Sequence, residues 1–129
     1  MNDTDLTKLL QEANDCVPRV SFEEAINIIS TTNTLIIDVR ETSEIEATGL
    51  IKNAVNIPKS IIDANFDHSL IKNHLNDNED ITILVYCAVG IRSALVGHKL
   101  IKNGYKKVLN LGGFSEWVSY DGPTETINE

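Results

Sequence analysis

Short apolar runs rich in β-branched residues alternate with segments of helical periodicity along most of this sequence. Four such runs predict buried strands: 34–37, 54–57, 81–86 and 108–111. Helical segments precede and separate these runs, and the one that starts at Ser21 carries a capping box with Glu24. Because strands that alternate with helices form βαβ units, the pattern predicts an α/β fold with a mainly parallel central sheet.

The length and composition of the chain predict a single domain. A chain of 129 residues, 42% of them hydrophobic, is long enough for one domain with one core. We expect a helical extension at 1–15, the domain itself at 16–120 and a C-terminal tail at 121–129.

The formal net charge of -8 argues against nucleic acid or an anionic membrane as the main partner. No run approaches the roughly 18 to 20 apolar residues of a membrane span. The N-terminus lacks an apolar signal core, so we expect a cytoplasmic protein.

The two cysteines, Cys16 and Cys87, stand far apart in the sequence, and no Cys-x-x-Cys pair or Cys/His cluster accompanies either of them. This spacing predicts neither a metal site nor the disulfide framework of a secreted domain. Cys16 matches no motif, and we interpret it as an inert cysteine.

Cys87 stands where the 81–86 strand ends and a helix is predicted to begin. Backbone amides and the helix dipole at such a position stabilise a thiolate and thereby lower the pKa of the thiol. Small residues let the backbone curl so that its N–H groups point inward and bind an anion, and Arg92 adds a fixed positive charge. The predicted site is the nucleophile Cys87 with the binding loop Ala88, Val89, Gly90, Ile91 and Arg92.

Two other interpretations of this loop stay open. A cysteine between a buried strand and a helix is often only a small core residue. Phosphotyrosine-type phosphatases also close a cysteine loop with an arginine, but they place five residues between the two, and here there are four. A shorter loop makes a smaller cradle, which suits a sulfur atom better than a phosphoryl group.

Four stretches of the sequence resemble, in order and spacing, the signatures of the rhodanese homology domain. They are 35–41 (LIIDVRE), Glu44 with Gly49 and 54–58 (AVNIP), 87–93 (CAVGIRS), and 111–113 (LGG) with Trp117. The similarity runs from about residue 17 to residue 117. It implies a three-layer fold with a central, mainly parallel five-stranded sheet flanked by helices.

The resemblance also implies a sulfurtransferase. The Cys87 thiolate would attack the sulfane sulfur of a small anionic donor such as thiosulfate, and cyanide, a thiol or a protein acceptor would then remove that sulfur from a Cys87 persulfide. Amides of 88–92 would surround the persulfide, and Arg92 would orient the sulfonate end of the donor. Asp38 and Arg40 are expected as supporting residues. The resemblance implies no metal and no cofactor beyond the covalent persulfide.

Two further functions remain as alternatives within the same family. One is a persulfide relay that passes sulfur to a protein acceptor. The apolar Ala88, Val89 and Ile91 of the loop favour a protein persulfide or a low-molecular-weight persulfide as the donor. The other is a binding module without catalysis, against which the intact Cys87 and Arg92 argue.

Overall fold

The computed structural model describes residues 3–75 and 80–126, so residues 1–2 of the predicted extension and 127–129 of the predicted tail lie outside it. The helices, in chain order, are α1 (Asp3–Cys16), α2 (Phe22–Thr31), α3 (Thr42–Thr48), α4 (Lys59–Ala64), α5 (Ser69–Lys72), α6 (Ile91–Lys102) and α7 (Phe114–Ser119). The strands are β1 (Thr34–Asp38), β2 (Leu50–Ile51), β3 (Val55–Asn56), β4 (Thr82–Cys87), β5 (Val108–Gly113) and β6 (Thr124–Glu125). The alternation of strands and helices therefore confirms the predicted α/β class.

The central sheet holds four parallel strands in the order β3-β1-β4-β5. At the β5 edge, the predicted fifth position is held by one isolated parallel bridge between Arg19 and Asn110 rather than by a full strand. Val20 N–H donates to Asn110 C=O at 3.0 Å, and Asn110 N–H donates to Pro18 C=O at 2.9 Å. Pro18 has no N–H to continue the ladder, which keeps this pairing short.

The sheet is covered on both faces, as expected for a parallel sheet. Side chains alternate along each strand, so Ile83, Val85 and Cys87 of β4 belong to one core cluster, and Leu84 and Tyr86 belong to the other. The first cluster is completed by residues of α4, α5 and α6, and the second by residues of α2, α3 and α7. The Cys87 side chain thus points to the α6 side of the sheet.

Both predicted end segments make contact with the domain. Helix α1 packs against α6, and β6 pairs with β2 in a separate antiparallel ladder. The division at residues 15 and 120 stays a prediction. Within the described parts of the chain, none of the helices combines the length and the apolar character that crossing a membrane requires.

Candidate active site

Cys87 is the last residue of β4, and α6 begins four residues later. The turn between them is possible because Gly90, the N-cap of α6, takes a left-handed conformation with φ of 98°. That conformation is costly for residues with a Cβ atom. A Cβ atom on Gly90 would also lie 3.1 Å from the Arg19 guanidinium. Glycine at this position therefore lets the loop fold back over the sulfur.

The Cys87 sulfur accepts hydrogen bonds in a buried setting. Gly90 N–H donates to Sγ at 3.0 Å, and the Ser93 hydroxyl oxygen lies 3.5 Å from Sγ. Burial by itself raises the pKa of the thiol, but hydrogen bonds from the Ser93 side chain and from the amides of Ser93, Val89 and Gly90 outweigh it. The net pKa of Cys87 is lower than that of an ordinary cysteine. This arrangement favours the thiolate, which is the nucleophilic form.

The other loop residues occupy a rim around this sulfur. Val89 and Ile91 are exposed, with 64% and 51% of their surface open to solvent. Ala88 directs its carbonyl towards Ser115, whose hydroxyl donates to it at 3.4 Å. Of the amides that lower the pKa of Cys87, those of Val89 and Gly90 lie within the predicted binding loop 88–92, and that of Ser93 lies just beyond it.

Arg92 is bound to a carboxylate. Its two terminal nitrogens donate to the two oxygens of Glu44, at 2.8 Å and 2.9 Å. This pairing lowers the pKa of Glu44 to about 2. It also raises the pKa of Arg92, with the Cys87 sulfur contributing in the same direction. Glu44 accepts a further hydrogen bond from Glu41 N–H at 2.7 Å, so the carboxylate is held from two sides.

Asp38 and Arg40 form a buried ion pair that does not belong to the sulfur pocket. Arg40 Nη2 lies 2.8 Å from Asp38 Oδ2, with 4% and 0% of the two side chains exposed. The remaining donors of Arg40 bind Thr48 Oγ1 and Gly49 C=O, each at 2.9 Å. Asp38 pairs in register with Tyr86, so strand alternation puts its side chain on the sheet face opposite Cys87. These contacts support a structural role in fastening β1 to the turn after α3.

Three residues of this region were not among the predicted site residues. Ser93 and Glu44 occur inside the motifs that resemble the rhodanese signatures. Asn110 was missed entirely, although a polar residue in the apolar run 108–111 is itself a signal. Asn110 is 2% exposed and accepts a hydrogen bond from the Ser93 hydroxyl at 2.8 Å. Buried polar side chains of this kind are held by partners, and here the partner is next to the sulfur.

Among the described residues, no group of three or more His, Cys, Asp or Glu side chains is placed to hold a metal ion. Cys16 is exposed, and Cys87 is buried; both are free cysteines. Among the groups described at this site, the nucleophile is the buried Cys87 thiol, whose pKa is lowered by nearby hydrogen-bond donors.

Comparisons with known proteins show which family this chain resembles. The family model of the rhodanese-like domain matches residues 21–120. The chain is 32% identical over 108 residues to a tRNA uridine(34) hydroxylase of Prochlorococcus marinus, a match that covers 79% of this chain and 34% of that protein. It is 28% identical over 112 residues to the thiosulfate sulfurtransferase GlpE of Coxiella burnetii, covering 86% of this chain and 95% of that protein.

A solved structure extends the similarity to the fold. A Rhodopseudomonas palustris protein of unknown function, described as a possible tyrosine phosphatase, superposes with a TM-score of 0.78 at 28% identity, over 93% of each chain. The chain thus spans about a third of the hydroxylase and nearly all of the sulfurtransferase. Since the family model covers most of its residues, including Cys87 and the loop that surrounds it, the chain belongs to the rhodanese-like domain family.

Proposed function

We propose that this chain is a sulfurtransferase that carries sulfane sulfur as a persulfide on Cys87. The observation that carries the proposal is the buried Cys87 sulfur at the end of β4, to which Gly90 N–H donates at 3.0 Å and near which the Ser93 hydroxyl oxygen lies at 3.5 Å. Donors around a buried sulfur stabilise the thiolate before the reaction and stabilise the charged outer sulfur after it. Sulfurtransferases among the relatives support the same reaction class.

The reaction has two displacements. The Cys87 thiolate attacks the sulfane sulfur of a donor such as thiosulfate, a sulfur–sulfur bond forms on Cys87, and the donor's own sulfur–sulfur bond breaks. Sulfite leaves with that electron pair, and a Cys87 persulfide remains. An acceptor such as cyanide or a thiolate then attacks the outer sulfur, and the Cys87 thiolate is restored. The scheme consumes no cofactor and needs no general base, because the thiolate is already the nucleophile.

Arg92 is proposed to orient the anionic end of the donor. Its guanidinium is bound to Glu44, so a small anion has to share or displace that carboxylate. The pair is about one third exposed on each side. An exposed pair of this kind contributes only about 0.2 to 1 kcal/mol, which lets a donor anion compete for it.

A second candidate is a persulfide relay to a protein acceptor. The observation that favours it is the exposure of the apolar Val89 and Ile91 beside the sulfur, together with the neutralisation of Arg92 by Glu44. Such a rim suits contact with a protein better than capture of a small dianion. The YrkF protein of Bacillus subtilis, named a putative sulfur carrier and 32% identical over 111 residues, is consistent with this candidate.

Intact-mass measurement after treatment with thiosulfate tests the proposal. We expect the mass of one additional sulfur atom in the native chain and in Cys16→Ser, no gain in Cys87→Ser, and removal of the gain by cyanide. Cys16→Ser is the matched control because it removes the other free cysteine. Cys87 is fully buried, so the experiment also measures whether donors reach the sulfur. A gain that persists in Cys87→Ser, or none with thiosulfate and with a low-molecular-weight persulfide, contradicts the proposal.

The turnover rate separates the two candidates. Steady production of thiocyanate from thiosulfate and cyanide supports the enzyme, whereas full loading of Cys87 with very slow turnover supports the relay. The cytoplasmic location and the absence of metals and cofactors stay predictions.

A further inference from the structure

Asn110 of β5 connects three parts of the active-site loop. Its Oδ1 accepts hydrogen bonds from the Ser93 hydroxyl at 2.8 Å and from Gly112 N–H at 2.9 Å. Its Nδ2 donates to Gly90 C=O at 3.0 Å. The side chain is 2% exposed, so water does not substitute for these partners.

The orientation of the Asn110 amide follows from its partners. Gly112 N–H can only donate and Gly90 C=O can only accept, so the oxygen must face Gly112 and the nitrogen must face Gly90. The Ser93 hydroxyl, on the oxygen side, must therefore donate its single proton to Asn110 when it bonds there. A flipped amide would lose the hydrogen bonds to Gly112 N–H and Gly90 C=O.

The Ser93 hydroxyl thus has one proton and two acceptors. Asn110 Oδ1 lies 2.8 Å away, and Cys87 Sγ lies 3.5 Å away. While Cys87 is a thiol, its S–H donates to Ser93 Oγ and the Ser93 hydroxyl donates to Asn110. When the thiol loses its proton to solvent, the thiolate is the stronger acceptor, and the hydroxyl turns to it. Asn110 Oδ1 keeps the Gly112 N–H, so no buried acceptor is left without a donor.

We propose that Asn110 is a positioning residue of this site, which holds the Ser93 hydroxyl and the Gly90 peptide in place around the Cys87 sulfur. It acts through those two residues and makes no bond to the sulfur itself. The inference rests on the proposed function only in taking Cys87 as the reactive sulfur. It adds to that function a residue of β5 that keeps the hydrogen-bond donors around the thiolate in place.

The rate of Cys87 alkylation by iodoacetamide, measured against pH in a Cys16→Ser background, tests the inference. We expect Asn110→Ala to move the midpoint of the profile to higher pH and to slow alkylation on its acidic side about tenfold, the effect of one lost hydrogen bond to a charged group. Ser93→Ala should do the same. Because Asn110 acts in part through Ser93, the double variant should lose less than the product of the two single losses.

Two further variants keep the test decisive. Leu109→Ala alters the adjacent residue of β5, which packs against the core of the opposite face, and should lower stability without moving the profile. If Asn110→Ala does not fold, Asn110→Leu keeps a similar side-chain volume without adding a charge, loses the donor to Gly90 C=O and the acceptor for Ser93, and its profile should shift in the same direction.

The outcomes separate the inference from the proposed function. A folded Asn110 variant with the native profile, or single losses that simply multiply, would overturn the inference even if the native chain loads sulfur on Cys87. A shifted profile with less-than-multiplicative losses supports it even if no donor forms a persulfide, since alkylation reports on the thiolate alone.

Discussion

Gly113 offers the sharpest test of whether the geometry of the loop matters for the chemistry. It ends β5 in an extended conformation, with φ of -116° and ψ of 146°, so alanine is allowed there by its backbone. A Cβ atom at this position would nevertheless lie 2.4 Å from Ala88 O and 3.0 Å from Val89 Cα. Ordinary carbon contacts begin near 3.5 Å, so in Gly113→Ala the Ala88 peptide has to move by about 1 Å.

That displacement sets the expected magnitudes. Overpacking of this kind costs about 1 to 3 kcal/mol of stability. The moved peptide carries the Val89 N–H, which helps to lower the pKa of Cys87, and it directly precedes the peptide whose Gly90 N–H donates to the Cys87 sulfur at 3.0 Å. A misplacement of about 1 Å in a reacting group slows a reaction by about a hundredfold. We therefore expect Gly113→Ala to load sulfur from thiosulfate about a hundred times more slowly than the native chain.

The assay is the rate of persulfide formation by intact mass, together with the thermal midpoint. Gly104→Ala is the matched control, because Gly104 has φ of 100° and no atom within 4 Å of the added Cβ. Its backbone strain should cost about 1 to 2 kcal/mol and leave the loading rate unchanged. Native loading by Gly113→Ala would refute the claim that loop position controls the sulfur.

Two remaining predictions concern ion pairs. Asp38→Asn leaves the buried Arg40 guanidinium without its counter-charge and should lower the free energy of unfolding by about 3 to 5 kcal/mol. Asp63→Asn, at a partly exposed pair with Lys59, should cost under about 1 kcal/mol. Similar losses for the two variants in urea denaturation would contradict the structural role of Asp38. Pairing with Arg92 lowers the pKa of Glu44 in the folded chain to about 2, from an ordinary value of about 4.5. The stabilisation by this pair is therefore full above pH 4.5 and is lost as the pH falls towards 2. Glu44→Gln should flatten the fall of the urea midpoint across that window, and an unchanged slope would contradict the pairing.

Local features of the chain could be predicted because neighbouring residues decide them. The Ser21–Glu24 capping box is present at the start of α2, with both of its hydrogen bonds formed. Cys87 ends a strand, and Gly90 takes the left-handed turn that starts α6. The strand predicted at 108–111 runs on through Gly112 and Gly113, with a register shift opposite Val85 and Tyr86. A bulge of this kind depends on the partner strand and cannot be seen in one strand alone.

The sequence by itself determined the α/β alternation, the family resemblance and the position of Cys87 at a strand end. Only the tertiary structure decided which distant groups meet there. Asp38 and Cys87 both end strands, yet the register of β1 on β4 puts them on opposite faces of the sheet. Glu44 reaches Arg92 across 48 positions, and Asn110 reaches Ser93 across 17. Such pairings are set by strand order and side-chain direction, which arise only when the sheet is assembled, and they determine the hydrogen bonds around the sulfur.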